Sequence, residues 1–312
     1  MEKFCTDLGI GDMIRIEKKG TIDLDIVESN PIIFRGRLYL VEYIRQRGED
    51  GSPSRSYHGN RFGKPYCRFR AWDDLQQFSA PFGVGYCFAS AFAENDRIVV
   101  TVTERWGGSG FYLLESDDME HWSEPRPIFA DPAKRCYNSS LFKADGRYVN
   151  ALEIGSTADC LDNAVFFAES KDLVSWRMIP GASGRLAPPE LCWQDGWYFG
   201  LALRGDYTQG FHTDIFRSRD LRTWEASPLG PVLTFGDEDR RIHPRAALTP
   251  EQRRTIAEAV NINNSDIGLC EYAGKLCVSY SWGDQSGHEF LALGEAAATL
   301  KEFCFNYFPD MR

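Results

Sequence analysis

Apolar residues along this chain gather in short β-branched and aromatic runs that stop at Gly, Asp or Asn, the pattern of antiparallel strands joined by tight turns. One stretch predicts strands over Ser139 to Lys143, Tyr148 to Ile154 and Ala164 to Glu169, with a fourth beginning near Trp176 and an Asp145-Gly146 hairpin after the first. The next stretch repeats the order: Glu190 to Trp193, the turn Asp195-Gly196, Trp197 to Leu203, Thr213 to Arg217, and a strand at Trp224. Each unit therefore holds four strands.

A recurring phrase marks the unit boundaries. Ser116-Asp117-Asp118-Met119-Glu120-His121-Trp122 returns as Ser170-Lys171-Asp172-Leu173-Val174-Ser175-Trp176 and as Ser218-Arg219-Asp220-Leu221-Arg222-Thr223-Trp224. The Asp positions lie 54 and 48 residues apart, and a weaker copy with Phe78 in place of Trp has its Asp74 another 44 residues upstream. A period of this length belongs to propellers and solenoids. Asp is expected to cap a turn through backbone amides, while the aliphatic residue and the Trp fill the seam with the next repeat. The expected fold is an all-β, five-bladed β-propeller with four-stranded antiparallel blades at about 30–80, 88–127, 137–180, 188–232 and 264–309, forming one domain over 1–312. In the last unit the phrase has decayed to Glu295-Ala296-Ala297-Ala298-Thr299-Leu300. Two stretches break the rhythm: a long polar loop over Arg47 to Pro65, and a helical insertion over about 249–260 opened by Thr249-Pro250-Glu251.

With 43% hydrophobic and 13% aromatic residues the chain can bury a large core. A net charge of −10 and a pI of about 5.1 argue against nucleic acid as a partner. No apolar run approaches ~20 residues and the amino terminus lacks a signal-peptide pattern, so a cytoplasmic protein without membrane contact is expected. Nine cysteines without a Cys-x-x-Cys pair read as reduced thiols, although Cys270 and Cys277 can face each other across a hairpin. Histidines without ligand spacing give no metal site, and no cofactor is expected.

In a propeller the first strand of each blade starts at one rim of the central channel and the second strand returns to it. First-strand starts supply Asn30, Ser90, Asn138, Glu190 and Asp266. Second-strand ends supply Glu42 with Arg45, Glu104 with Trp106, Glu153, Arg204 with Asp206, and Trp282 with Gln285. Carboxylates beside aromatic platforms suit glycosidic cleavage, in which one acid protonates the leaving oxygen and one carboxylate activates water or attacks the sugar. Asp266, in the polar cluster Asn263-Asn264-Ser265-Asp266, is one candidate, with an Asx turn as its structural alternative. Glu153 and Glu42 are acids inside apolar strands, a setting that raises a carboxyl pKa or hides an ion pair. These three are the catalytic candidates. Asn30, Arg45, Glu104, Trp106, Asn138, Arg204, His243, Trp282, Gln285 and Glu289 are the candidate contacts to a small carbohydrate. His58 with Asn60 and Arg61 offers further polar contacts.

With these repeats and rim acids the chain resembles the five-bladed propeller glycoside hydrolases of the group containing families 32, 43, 68 and 117, from about Asn30 to Phe308. The resemblance implies activity on arabinofuranosides, xylosides, galactofuranosides or fructosides. At three places the sequence departs from the family 43 pattern. Asn30-Pro31 stands where an Asp-Pro carries the general base, Asn138 where an Asp tunes the acid, and Ala187-Pro188-Pro189 where a Glu precedes the fourth inner strand. Either the acids have moved to Asp266, Glu153 and Glu42 in an inverting hydrolase, or the chain binds sugar without cleaving it. A phosphorolytic enzyme using Arg204, Arg241 and His243 is a third possibility.

Overall fold

The computed structural model describes residues 13–45, 64–155 and 164–309. Over these the chain is all-β and propeller-like, with several four-stranded antiparallel sheets. It opens with β1 (Glu17–Leu24) and then lays down five groups in sequence order. These are β2 (Asn30–Phe34), β3 (Arg37–Ile44) and β4 (Tyr66–Ala71); then β5 (Cys87–Glu94), β6 (Arg97–Thr103), β7 (Gly110–Ser116) and β8 (Arg126–Ala130). The third is β9 (Arg135–Ala144), β10 (Arg147–Gly155), β11 (Ala164–Ser170) and β12 (Arg177–Gly184). The fourth is β13 (Glu190–Gln194), β14 (Trp197–Asp206) and β15 (Gly210–Ser218), with the short β16 (Glu225–Ala226) and β17 (Leu233–Thr234) along β15. The fifth is β18 (Asn263–Tyr272), β19 (Lys275–Gly283) and β20 (Glu289–Ala296). The first strands neighbour one another in order, β2 with β5, β5 with β9, β9 with β13 and β13 with β18, and β18 packs against β2.

Every first strand joins its second through a two-residue turn with both residues at positive φ: Arg35-Gly36, Asn95-Asp96, Asp145-Gly146, Asp195-Gly196 and Ala273-Gly274. Such turns match the right-handed twist of the strands they connect. A Cβ added at Gly36, Gly146 or Gly274 would meet nothing within 4 Å, so backbone conformation rather than space favours glycine there.

The repeated phrase forms one turn three times. Ser116, Ser170 and Ser218 accept hydrogen bonds through Oγ from the amides two and three residues on. Asp118, Asp172 and Asp220 accept through Oδ1 from the amides two and three residues beyond themselves. The residue between, Met119, Leu173 or Leu221, takes a left-handed conformation and is buried. Each Trp packs against the preceding group rather than the next one. Trp122 stacks on Phe82 with ring centroids 3.8 Å apart, Trp224 stacks over Phe167, and Trp176 joins the cluster containing Phe111. The reason is chain direction, since the turn leaves the outer end of a third strand over the neighbour already laid down.

Three expectations change. The fourth strand of the last group is β1, paired antiparallel with β20, so residues before Asn30 belong to the architecture. A helix, α2 (Leu300–Asn306), capped by Thr299 and Glu302, begins at the last residue of the decayed phrase. The first group has three strands among the described residues, and isolated bridges of Arg70 to Phe78 and Cys67 to Phe82 run along β4. Most of the long polar loop, with His58, Asn60 and Arg61, lies outside the described residues. Helix α1 (Pro250–Glu258) has a reciprocal cap between Thr249 and Gln252. The same connection is anchored by Asp239, fully buried, which meets Lys18 Nζ at 2.7 Å, Tyr280 Oη at 2.9 Å and Asn264 Nδ2 at 3.1 Å.

Leu173 is 2% exposed, whereas its neighbour Val174 is 59% exposed. Leu173→Ala is therefore expected to lower unfolding stability by about 2–5 kcal/mol in urea titrations, and Val174→Ala to change it by less than about 0.5 kcal/mol. Equal effects would show that the turn residue does not hold the seam.

Candidate active site

A cavity of about 650 Å³ opens where the first-strand starts and second-strand ends converge. Eight of the expected residues line it: Arg45, Trp106, Asn138, Glu153, Arg204, Asp266, Gln285 and Glu289. Glu28, Phe88, Tyr137, Arg185 and Tyr207 line it as well.

Irregular backbone aims several of these side chains. The β9–β10 register shifts between Leu152 and Ile154, around Glu153. The β18–β19 register shifts between Ser265 and Gly268, around Asp266, whose φ is 48°. The β5–β6 register shifts between Cys87 and Ser90, around Phe88, whose φ is 54°. A bulge turns a side chain out of the regular alternation, and a non-glycine residue at positive φ is held there only by its surroundings. Glu28 sits in the β1–β2 connection at φ 40°.

Three carboxylates lie around one guanidinium. Arg45, with a side chain 4% exposed, approaches Glu289 Oε2 at 3.3 Å, and Asp25 Oδ1 and Glu28 Oε2 at 4.0 Å each. Burial, then the charge of Asp266, holds the Glu28 carboxyl well above the ordinary range, against the pull of Arg45. Burial likewise raises Asp266, and the hydroxyls of Ser265 and Ser281, which donate to its Oδ2, offset part of this. Glu153, 2% exposed, accepts a 2.8 Å hydrogen bond from Asn138 Nδ2. The Trp106 ring lies 5.9 Å from the Arg45 guanidinium, and the Tyr207 hydroxyl donates to the Gln285 carbonyl at 3.3 Å, linking two rim loops.

Five expected residues lie elsewhere. Glu42 is fully buried within its own sheet, bound by Arg68 Nε at 2.8 Å and by Arg70, which also holds Asp23. Its charge is spent on a closed ion network, so it has no access to substrate. Asn30 donates to the Ala91 carbonyl at 2.8 Å and accepts from the Ala91 amide at 2.9 Å, tying β2 to β5. Glu104 is occupied by the Ser109 amide and hydroxyl and by the Tyr112 hydroxyl. Trp282 is fully buried, donating to Thr21 Oγ1 at 2.8 Å and stacking on Phe290. His243 is held against β1 by the bond its amide donates to the Thr21 carbonyl, away from the cavity, which removes it from a phosphorolytic site. Among the described residues, no three His, Cys, Asp or Glu side chains are grouped to hold a metal ion.

Glu28 escaped the sequence reading because it precedes the first repeat. The acids Asp23, Asp25 and Glu28 within an otherwise apolar stretch were the available signal.

No family model and no curated protein matches the sequence. Solved structures do match, among them propeller glycoside hydrolases. The catalytic domain of a GH62 α-L-arabinofuranosidase from Coprinopsis cinerea superposes with a TM-score of 0.63 at 11% identity, over 92% of this chain and 99% of that one. An α-L-arabinofuranosidase from Podospora anserina, solved with cellotriose, gives 0.59 at 10% identity over 90% and 91%. The GH43 protein BlXynB from Bacillus licheniformis gives 0.54 at 16% identity, over 88% of this chain. The chain spans about half the length of that last protein, 52%. At these identities the likeness establishes a shared fold.

One acid outside this cavity makes a separate test. Glu190 accepts from the Leu269 amide at 3.1 Å, and burial pushes its carboxyl up to about 8. Because its folded pKa lies above its unfolded one, its contribution is complete below the unfolded value and is lost as pH rises through about 8. Relative to Glu190→Gln, the native protein should lose stability between about pH 5 and 8, by at most about 1.4 kcal/mol per pH unit in denaturant titrations. Parallel stability curves would remove Glu190 as the source.

Proposed function

We propose that the protein is a glycoside hydrolase-like enzyme that cleaves a glycosidic bond in a small oligosaccharide or glycoside with inversion, on a single-domain, five-bladed ring. The ring is supported by the order of first-strand contacts, by the return of β18 to β2, and by β1 completing the last group. The observation that carries the function is the pairing of two kinds of carboxyl group in one sugar-sized cavity. One, Glu28, is held well above the ordinary carboxylate range by burial and the charge of Asp266, and the other, Glu153, is positioned by an amide.

In this reading the Glu28–Asp266 pair supplies the general acid. It gives its proton to the glycosidic oxygen as the bond from that oxygen to the anomeric carbon breaks. Glu153, fixed by Asn138, takes a proton from the water that attacks the anomeric carbon from the opposite face. Trp106 and Tyr207 offer faces to the sugar, and Gln285 and Arg204 offer donors to its hydroxyls. A cytoplasmic setting is supported by free thiols at Cys67, Cys136, Cys270 and Cys277. No helix among the described residues is long and apolar enough to cross a membrane.

A second reading, a sugar-binding protein without turnover, is favoured by the amides at Asn30 and Asn138. Product formation separates the two.

Glu28→Gln and Glu153→Gln are each expected to lower kcat by about 10²- to 10⁴-fold on a cleaved aryl glycoside or oligosaccharide. Because the acid must be protonated, activity should fall as pH rises through a value above the ordinary carboxylate range. In Asp266→Asn the residual activity should fall at lower pH, since a like charge that raises the Glu28 pKa is gone. NMR of the first-formed anomer tests inversion. Undiminished turnover by Glu153→Gln would eliminate the proposed base.

A further inference from the structure

Two cysteines far apart in the sequence meet where β13 faces α2. Successive side chains of β13 point to opposite neighbours. Leu191 joins the buried cluster shared with the third group, and Cys192, partly buried, packs on the cluster of the fifth group and α2. Cys304 of α2 is fully buried, and its Sγ lies 3.7 Å from the Cys192 Sγ.

The fold holds the two sulfurs in this position. The Leu300 amide donates to Glu271 Oε2 at 3.0 Å, Lys301 Nζ meets Asp195 Oδ2 at 2.6 Å, and the Phe305 ring lies edge-on to Phe199 with centroids 5.1 Å apart. Burial, then the facing Cys192 sulfur, raises the Cys304 thiol well above its ordinary value, so Cys304 keeps its proton and donates it toward Cys192. A thiolate at Cys192 is the acceptor that such a donor stabilises, and Cys192 is the partner open to solvent. Cys270 and Cys277 share a register position of β18 and β19, but the Cys270 thiol is directed at the Glu271 carbonyl, 3.8 Å away.

We propose that Cys192 and Cys304 are a redox modification site, which hydrogen peroxide converts to a disulfide joining β13 to α2. First, the Cys192 thiolate attacks one peroxide oxygen and the O–O bond breaks. The released hydroxide takes up the proton that Cys192 gave up, leaving a sulfenic acid and water. The Cys304 sulfur then attacks the Cys192 sulfur, the S–O bond breaks, and the leaving hydroxide takes the Cys304 proton. Two thiols become one disulfide, and one peroxide is reduced to two waters. The link joins residues 112 apart in sequence and encloses the fifth group. The stretch that follows Cys304 also holds the approach to β1, since Asn306 Oδ1 accepts the Ile14 amide at 2.9 Å and Tyr307 Oη donates to the Ile14 carbonyl at 3.2 Å. Oxidation therefore clasps the region in which the first and last strands share a sheet.

In the test, the reduced full-length protein is treated with hydrogen peroxide, alkylated and digested. Mass spectrometry should show a linked pair of peptides carrying Cys192 and Cys304, two hydrogens lighter than their sum and separated by dithiothreitol. The urea midpoint should rise by about 0.5–1 M on oxidation and return on reduction. Cys192→Ser should lose both the link and the rise. In Cys304→Ala, oxidation should stop at a sulfenic acid on Cys192 that dimedone traps. The linked peptides are read in the native protein, so that result stands whether or not the variants fold. Alkylation of both residues after oxidation, a Cys270–Cys277 link in place of this one, or a midpoint rise that survives Cys192→Ser overturns the proposal.

Discussion

Every sheet in this protein has apolar side chains that only the neighbouring sheet can cover, and the rest of the structure follows from that constraint. Ile98, Val100 and Val102 of β6 share one buried cluster with Val41, Tyr43 and Phe69 of the preceding group. Val149 and Ala151 of β10 share another with Tyr198 and Phe216 of the following one. A sheet of this kind has no stable existence alone. The Trp turns make the dependence directional, because each indole lies on the group before it. Covering the last group with β1 places the first and last parts of the chain in one sheet, and in doing so it carries the β1–β2 connection, with Glu28, to the cavity.

The same packing makes the cavity electrostatically tense. A buried carboxylate is tolerated when it is paired, as Glu42 is by two arginines, and its charge then serves the fold. At the cavity Arg45 lies among Asp25, Glu28 and Glu289, with Asp266 adding its field. Protonation of Glu28 relieves its repulsion with Asp266 and Glu289. A proton retained for this reason is available for transfer to a leaving group.

Much of the fold was legible in the sequence because its signals are local. The Asp-Gly pairs and the Ser-x-Asp-Leu-x-x-Trp phrase act within a few residues, and the strands of the third and fourth groups fall where those signals place them. The covering of the last group by β1 was not legible, since strand pairing over 266 to 278 residues leaves no local mark. At the site, the rule that strand ends converge found Asp266, Glu153 and Arg45, all of which line the cavity. The same rule cannot tell an end that points inward from one absorbed by a neighbour. Trp282 and Glu104 read as rim residues, yet one is bonded to Thr21 and the other to Ser109 and Tyr112. Bulges decide the matter at Glu153 and Asp266, and a bulge depends on the partner strand.

The amides that depart from the family 43 pattern have their own chemistry. Asn30 both donates to and accepts from the backbone of Ala91. An aspartate there would only accept, leaving the Ala91 carbonyl without its donor and placing two oxygens against each other. Asn138 donates to Glu153, whereas an aspartate at 138 would set one carboxylate against another at hydrogen-bonding distance. The two asparagines are therefore matched to acids placed elsewhere. The first locks adjacent groups together, and the second fixes a carboxylate supplied by the following strand. Restoring aspartate at either position alone would recreate the family pattern in sequence while breaking a contact on which the present arrangement depends.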